Sequence, residues 1–169
     1  MPQSVHTSHI QTMNEARETM PVLNETVHTR LPIERAFRYI ADFSNSAGWD
    51  PGTVASNAVD GGEPSIGSRY ALSVRVGNRV APMEYEITAL APNERVVLAG
   101  HGSNVAAVDD IRFSRTEHGT RIDYTADIRL TGLWRLIEPF AGGAFRKIGR
   151  DAREGMQRKL DLLAEERQS

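Results

Sequence analysis

The sequence predicts a single α+β domain in which an antiparallel sheet packs against one long C-terminal helix. Three observations carry this reading. Segments between residues 53 and 131 alternate apolar and polar side chains, with turn residues between them. After Gly132 the apolar period lengthens to that of a helix. A strand and short helices precede the alternating region. At 169 residues the chain is long enough to bury one real core, so residues 21–169 are expected to form one domain.

The elements follow in order. Residues 1–20 are polar without apolar periodicity and read as a tail; His6 and His9 there lack a third ligand and imply no metal site. Val22 to Leu31 has the β-branched content of a strand. Pro32 is placed to open a helix whose apolar stripe is Ile33, Ala36, Phe37 and Ile40. A second short helical turn is expected up to Gly48, followed by a turn carrying Trp49. Tyr70, Leu72, Val74 and Val76 form one face of the next clear strand, and Gly77-Asn78 suits a two-residue hairpin. Met83, Tyr85 and Ile87 continue the pattern. Ala91-Pro92-Asn93-Glu94 is a turn with proline at its second position. Arg95 to Gly100 is a strand. Ile111 and Phe113 lead into a turn ending at Gly119, and Ile122, Tyr124, Ala126, Ile128 and Leu130 return on one face. Leu133 to Ile137 reads as one helical turn ended by Pro139. The final helix should run from about Phe140 to Glu166, with Phe145, Ile148, Ala152, Met156, Leu160 and Leu163 inward. Such a helix is roughly 35 to 40 Å long and spans the sheet.

Composition narrows the function. The chain has no cysteine, which excludes disulfides, thiolate zinc sites and cysteine nucleophiles. A net charge of −2 gives no support for nucleic-acid binding. No run approaches the roughly 18 apolar residues that cross a bilayer. The first 20 residues lack the order of a secretory signal, so a cytoplasmic protein without membrane insertion is expected. No phosphate-binding glycine loop and no clustered His/Asp/Glu set is present; neither a metal nor another cofactor is indicated.

Pro32-Ile33-Glu34-Arg35-Ala36-Phe37, then Asp42 and Trp49-Asp50-Pro51, Gly67 before a strand, Pro92-Asn93-Glu94-Arg95, and Phe113 with Gly119-Thr120 form an ordered pattern. On these residues, over about 22–165, the chain resembles the START-related helix-grip superfamily (SRPBCC), in particular its polyketide cyclase/dehydrase branch. The resemblance implies a curved sheet wrapped around the terminal helix, with a ligand held between them. It implies no catalytic residue, because the fold hosts carriers, receptors, co-chaperones and cyclases.

Within such a fold, Gly142, Gly143, Gly149 and Ala152 place small residues on the first half of the final helix. A cavity is therefore expected under that half, the alternative being that the glycines allow tight packing. Its walls are expected from Leu72, Val74, Met83, Tyr85, Ile87, Ile111, Phe113, Tyr124, Ala126 and Ile128, with Phe145, Gly149 and Ala152 from the helix. Asp109 has the parity of Ile111 and Phe113 and faces inward unless a bulge near Asn104 turns it out. An inward carboxyl needs a partner or a task. His101 has ambiguous parity, and a surface position is favoured; with Asp109 it makes a proton-transfer pair only if both face inward. Tyr85 is the third candidate for chemistry. Trp49 either guards the pocket mouth or caps the short helices, and capping is favoured. Arg146, Lys147, Arg150 and Arg153 form a basic face that is either solvated or draws in an anionic head group.

Three functions compete. A carrier or sensor of a small hydrophobic molecule rests on the apolar inward faces. A polyketide cyclase or dehydratase gains if Asp109, His101 or Tyr85 meet inside the cavity. A co-chaperone or other protein-binding role needs an exposed apolar patch, and the polar outer faces argue against one. The first is preferred, and the protein's macromolecular partners are left open.

Overall fold

The computed structural model describes residues 22–136 and 140–166; the predicted tail and its histidines lie outside them. Strand β1 (Val22–Thr29) leads to helix α1 (Ile33–Ala41) and a 3-10 helix at Phe43–Gly48. Six strands follow: β2 (Thr53–Ala58), β3 (Arg69–Val76), β4 (Arg79–Ala91), β5 (Arg95–Gly102), β6 (Val105–Thr116) and β7 (Gly119–Leu130). A 3-10 turn at Gly132–Leu136 connects them to helix α2 (Gly142–Glu165). The sheet order is β1-β7-β6-β5-β4-β3-β2, every pairing antiparallel. This curled seven-stranded sheet with its long terminal helix is the expected helix-grip architecture.

Turn chemistry sets the register. Val76 pairs with Arg79 across Gly77-Asn78, where Gly77 has φ +59°. Asn93 takes φ +64° in the β4–β5 turn, closed by Glu94 N–H donating to Ala91 O at 3.0 Å. The β4–β5 register shifts between Ile87 and Ala89, a bulge that re-phases β4 so that Leu90 comes opposite Val96, while unbroken β5 keeps Val96, Leu98 and Gly100 buried. Pro32 stands one position earlier than predicted, as the cap residue before α1, and its carbonyl accepts from Arg35 and Ala36.

The main core gathers Val27, Ile40, Ile87, Leu98, Ile111 and Ile122 from the first helix and the sheet with Met156 and Leu160 from α2. A smaller cluster of Leu23, Ala126 and Phe145 lies beside it at the start of α2. The buried face of α2 runs through Phe145, Gly149, Ala152, Met156 and Leu160. Ile148, predicted inward, is half-exposed, because the seam follows Gly149 and lets β1 come close. The helix is also tied to the sheet edge. Gln157 Nε2 donates to His28 O at 2.6 Å, and His28 N–H donates to Gln157 Oε1 at 3.3 Å. Both main-chain groups of His28 point away from β7 and are satisfied by one side-chain amide.

Candidate functional site

Among the described residues, the inner face of the sheet carries one buried carboxyl. Asp109 on β6 is 3% exposed and lies between Leu98 of β5 and Ala126 of β7 in the strand register. No bulge interrupts β6 there, so the alternation that buries Ala107, Ile111 and Phe113 buries Asp109 too. The Tyr124 hydroxyl donates to Asp109 Oδ1 at 3.0 Å. The Tyr85 phenol approaches the same carboxyl as a second, weaker donor. Tyr85 reaches it because its ring lies over Gly100: a Cβ at that residue would stand 2.5 Å from Tyr85 Cε1 and Cζ. Trp49 packs edge-on against Tyr124 at 6.3 Å between ring centroids and against Phe43 at 5.9 Å. Its buried indole Nε1 has no hydrogen-bond partner among the described residues.

Burial is the main electrostatic cause here. It pushes the Asp109 carboxyl up to about 7, while donation from Tyr124 and Tyr85 opposes the rise and the nearby Asp50 carboxylate adds to it. Burial also drives both phenols well above their usual range, reinforced by the charge of Asp109. Asp50 is raised by burial as well, although it accepts from Gly52 N–H and Thr53 Oγ1, both at 2.9 Å. The assembly is therefore a carboxyl that changes protonation near neutrality, flanked by two phenols that remain protonated.

The other expected wall residues fall into two groups. Leu72, Met83, Ile87, Ile111, Phe113 and Ala126 are buried, as are Phe145, Gly149 and Ala152 of α2. Val74, Tyr124 and Ile128 share the inward face yet keep accessible area. Tyr124 keeps this area although its hydroxyl is deeply buried. The pairing of Asp109 with His101 is not formed. Leu98 and Gly100 point inward, so His101 is exposed, opposite Glu84 and Ala106 on the outer face. Two neighbouring apolar pairs, Val96/Leu98 and Val97/Ala99, leave the parity ambiguous in the sequence, and the pairing of β5 with its two neighbours settles it. Trp49 follows the short helix as its capping residue, as expected, and its main-chain N–H donates to Ser46 O.

The glycines divide. A Cβ at Gly149 would meet Leu23 Cδ1 at 3.2 Å and Glu25 Oε1 at 3.3 Å, so this glycine serves close packing rather than open volume. Gly142 and Gly143 lie at the accessible start of the helix. Gly155, not singled out from the sequence, is the tightest contact of α2: a Cβ there would be 2.1 Å from Trp49 O. An open concavity of about 530 Å³ lies beside the first half of α2, lined by Leu23, Asn24, Glu25, Arg146, Arg150 and Arg153, none of which is among the expected wall residues. Leu23 and Glu25 are the register neighbours of Ala126 and Tyr124 on β7, and β7 alone separates β1 from β6, which carries Asp109. Arg153 pairs with Glu25 at 3.3 Å across its floor.

A sheet gripping one helix, with a buried carboxyl and two phenols on its inner face, defines a helix-grip domain. The chain belongs to the family described as polyketide cyclase / dehydrase and lipid transport, whose model matches residues 20–166. Among solved structures it is similar to the Zhui aromatase/cyclase from Streptomyces sp. R1128, at 15% identity and TM-score 0.69, covering 89% of this chain and 96% of that one. A START superfamily protein from Mycobacterium smegmatis is similar at 15% identity and TM-score 0.66, covering 86% and 97%. A protein from Thermus thermophilus is similar at 15% identity and TM-score 0.68, covering 85% and 99%. At these identities the likeness establishes the fold. No curated protein matches the sequence. Among the described residues no helix is long and apolar enough to cross a membrane.

Proposed function

We propose that this domain binds a small, largely apolar molecule between its sheet and the first half of α2, acting in the cytoplasm as a carrier or sensor. The observation that carries the reading is the buried Asp109 with Tyr124 and Tyr85, set in a largely apolar inner face. A buried carboxyl without a cationic partner costs several kcal/mol unless it stays protonated or serves a bound group. Here it presents a neutral acid and two phenols to one polar atom of a ligand, such as a hydroxyl or carbonyl oxygen. The unpartnered Trp49 Nε1–H adds a further buried donor against Tyr124. The partial accessibility of Tyr124 and Ile128 supports an approach from the groove side.

A second reading, a cyclase or dehydratase, is favoured by one specific observation: Asp109 changes protonation at about 7 beside hydrogen-bond donors. As a carboxylate it takes a proton from carbon next to a carbonyl; as an acid it returns that proton to a departing hydroxyl, which leaves as water. Native mass spectrometry of the protein from its own host, compared with an Asp109→Asn variant, tests the first reading. A co-purifying small molecule that weakens or disappears in the variant supports it. A wild-type protein that is consistently free of small molecules and binds no apolar probe sinks it. A ligand recovered intact from the variant, but dehydrated or cyclised from the wild type, selects the second reading.

A further inference from the structure

We propose that Gly132–Leu136 and Phe140, together with the first two turns of α2, dock on an anionic lipid surface. Four large apolar side chains project from this short stretch: Leu133 is 84% exposed, Trp134 53%, Leu136 75% and Phe140 87%. Side chains this exposed make little contact with their own fold, so retaining four of them in one segment calls for a covering medium. Ile148, further along α2, is also half-exposed. The outer faces of the strands argue against any such patch; it lies instead in the connector, where alternation says nothing.

The charge around the patch indicates the medium. Residues 132–150 hold Arg135, Arg146, Lys147 and Arg150 against the single carboxylate Glu138, in a chain of net charge −2. Lys147 is paired with Asp151. Arg135, Arg146 and Arg150 have neither an ion pair nor a hydrogen bond among the described residues. The Arg146 guanidinium folds back over the helix start, where a Cβ at Gly142 would lie 3.5 Å from Nη1 and one at Gly143 3.9 Å from Nη2. That places a cation two or three residues from Phe140. Apolar and indole side chains interleaved with free arginines match the acyl boundary and the negative head groups of a membrane surface. Protruding single side chains suit a fluid layer, which accepts each one separately, better than a shaped protein groove.

The placement has a structural consequence. Gly132, with φ +62°, turns the chain at the end of β7, and Thr131 N–H donates to Asn104 O at 2.8 Å in the β5–β6 turn. The apolar connector thus sits at the end of the sheet where α2 begins, beside the half of the helix that borders the groove. Docking there would set that opening against the lipid. The inference stands whether or not the domain carries a ligand.

Co-sedimentation of the full chain with phosphatidylcholine vesicles, with and without phosphatidylglycerol, tests it. Binding is expected only to the anionic vesicles and should fall as salt is added. The exposed pair Trp134→Ala/Phe140→Ala should weaken it by about tenfold. Arg146→Ala and Arg150→Ala should each weaken it on the order of fivefold. Circular dichroism confirms that these surface variants fold. On vesicle addition the emission of Trp134 should shift to the blue, and a Trp134→Phe variant should lose that shift because Trp49 is already buried. Absence of binding to anionic vesicles at low salt overturns the proposal, as does equal binding to neutral ones. A dimer in solution that Leu133→Ser/Phe140→Ser dissociates would also overturn it, by identifying a second copy as the cover.

Discussion

The two halves of α2 do different things. From Gly155 onward the helix is an anchor: Met156 and Leu160 are fully buried, Ala164 is buried, and Gly155 admits the backbone of Trp49. Before Ala152 it is a rim. Phe145 joins only the small cluster with Leu23 and Ala126, Ile148 is half-exposed, and Arg146 and Arg150 line a groove. One helix therefore combines a half that holds the sheet closed with a half free to meet other molecules. The contrast teaches that binding surface in this fold is obtained by thinning the packing at one end while the other end keeps the domain together.

The largest effect should come from the anchor. Leu160→Ala is expected to lower unfolding free energy by ~3–5 kcal/mol in urea denaturation, since its side chain is wholly buried and the site cannot collapse freely. A loss below that of a surface substitution would erase the distinction between the halves.

Asp109 gives the next effect, and its sign follows from linkage. Below about pH 4 the carboxyl is protonated in both folded and unfolded chains, so burial carries no charge penalty. Between there and about 7 the unfolded chain ionises while the folded one keeps its proton, so stability falls as pH rises. Above 7 the loss is complete. Asp109→Asn should remove this slope, gaining about 2–4 kcal/mol relative to wild type between pH 4 and pH 8. Parallel stability profiles for the two proteins would show that Asp109 is not held as described.

Gly100→Ala should cost ~1–3 kcal/mol and displace the Tyr85 ring, because the new methyl overlaps it. The ultraviolet titration of the protein's tyrosines checks this: one phenol should return toward its ordinary range. The smallest effect belongs to the rim. Ile148→Ala should change stability by less than ~0.5 kcal/mol, which thermal melts would register as no resolvable shift.

Much of this was readable in the sequence, and the gaps have physical causes. The sheet was legible because period-2 alternation records which face is wet; Ile122 through Leu130 needed nothing else. Asp109 was legible by the same parity. His101 was not, because Val96 to Ala99 are apolar on both parities and only the pairing with β4 and β6 decides the face. Gly100 and Gly155 were missed for a different reason. A glycine required by a close approach is explained by the atom opposite it, here a Tyr85 ring and the Trp49 carbonyl, and that atom is distant in sequence. The connector was read as one helical turn, which fixed its shape but not that its apolar side chains face outward. Whether such residues are covered is a property of what surrounds them.

The amide of Gln157 has a further consequence. By occupying both main-chain groups of His28 it closes part of an edge strand that would otherwise template another chain. That closure belongs to α2, not to the sheet. Whenever the helix lifts away, the sheet loses its cover and its edge becomes sticky in the same event. Detachment of α2 and the first step of aggregation are thus a single transition, and the firmness of the anchoring half sets how often it occurs.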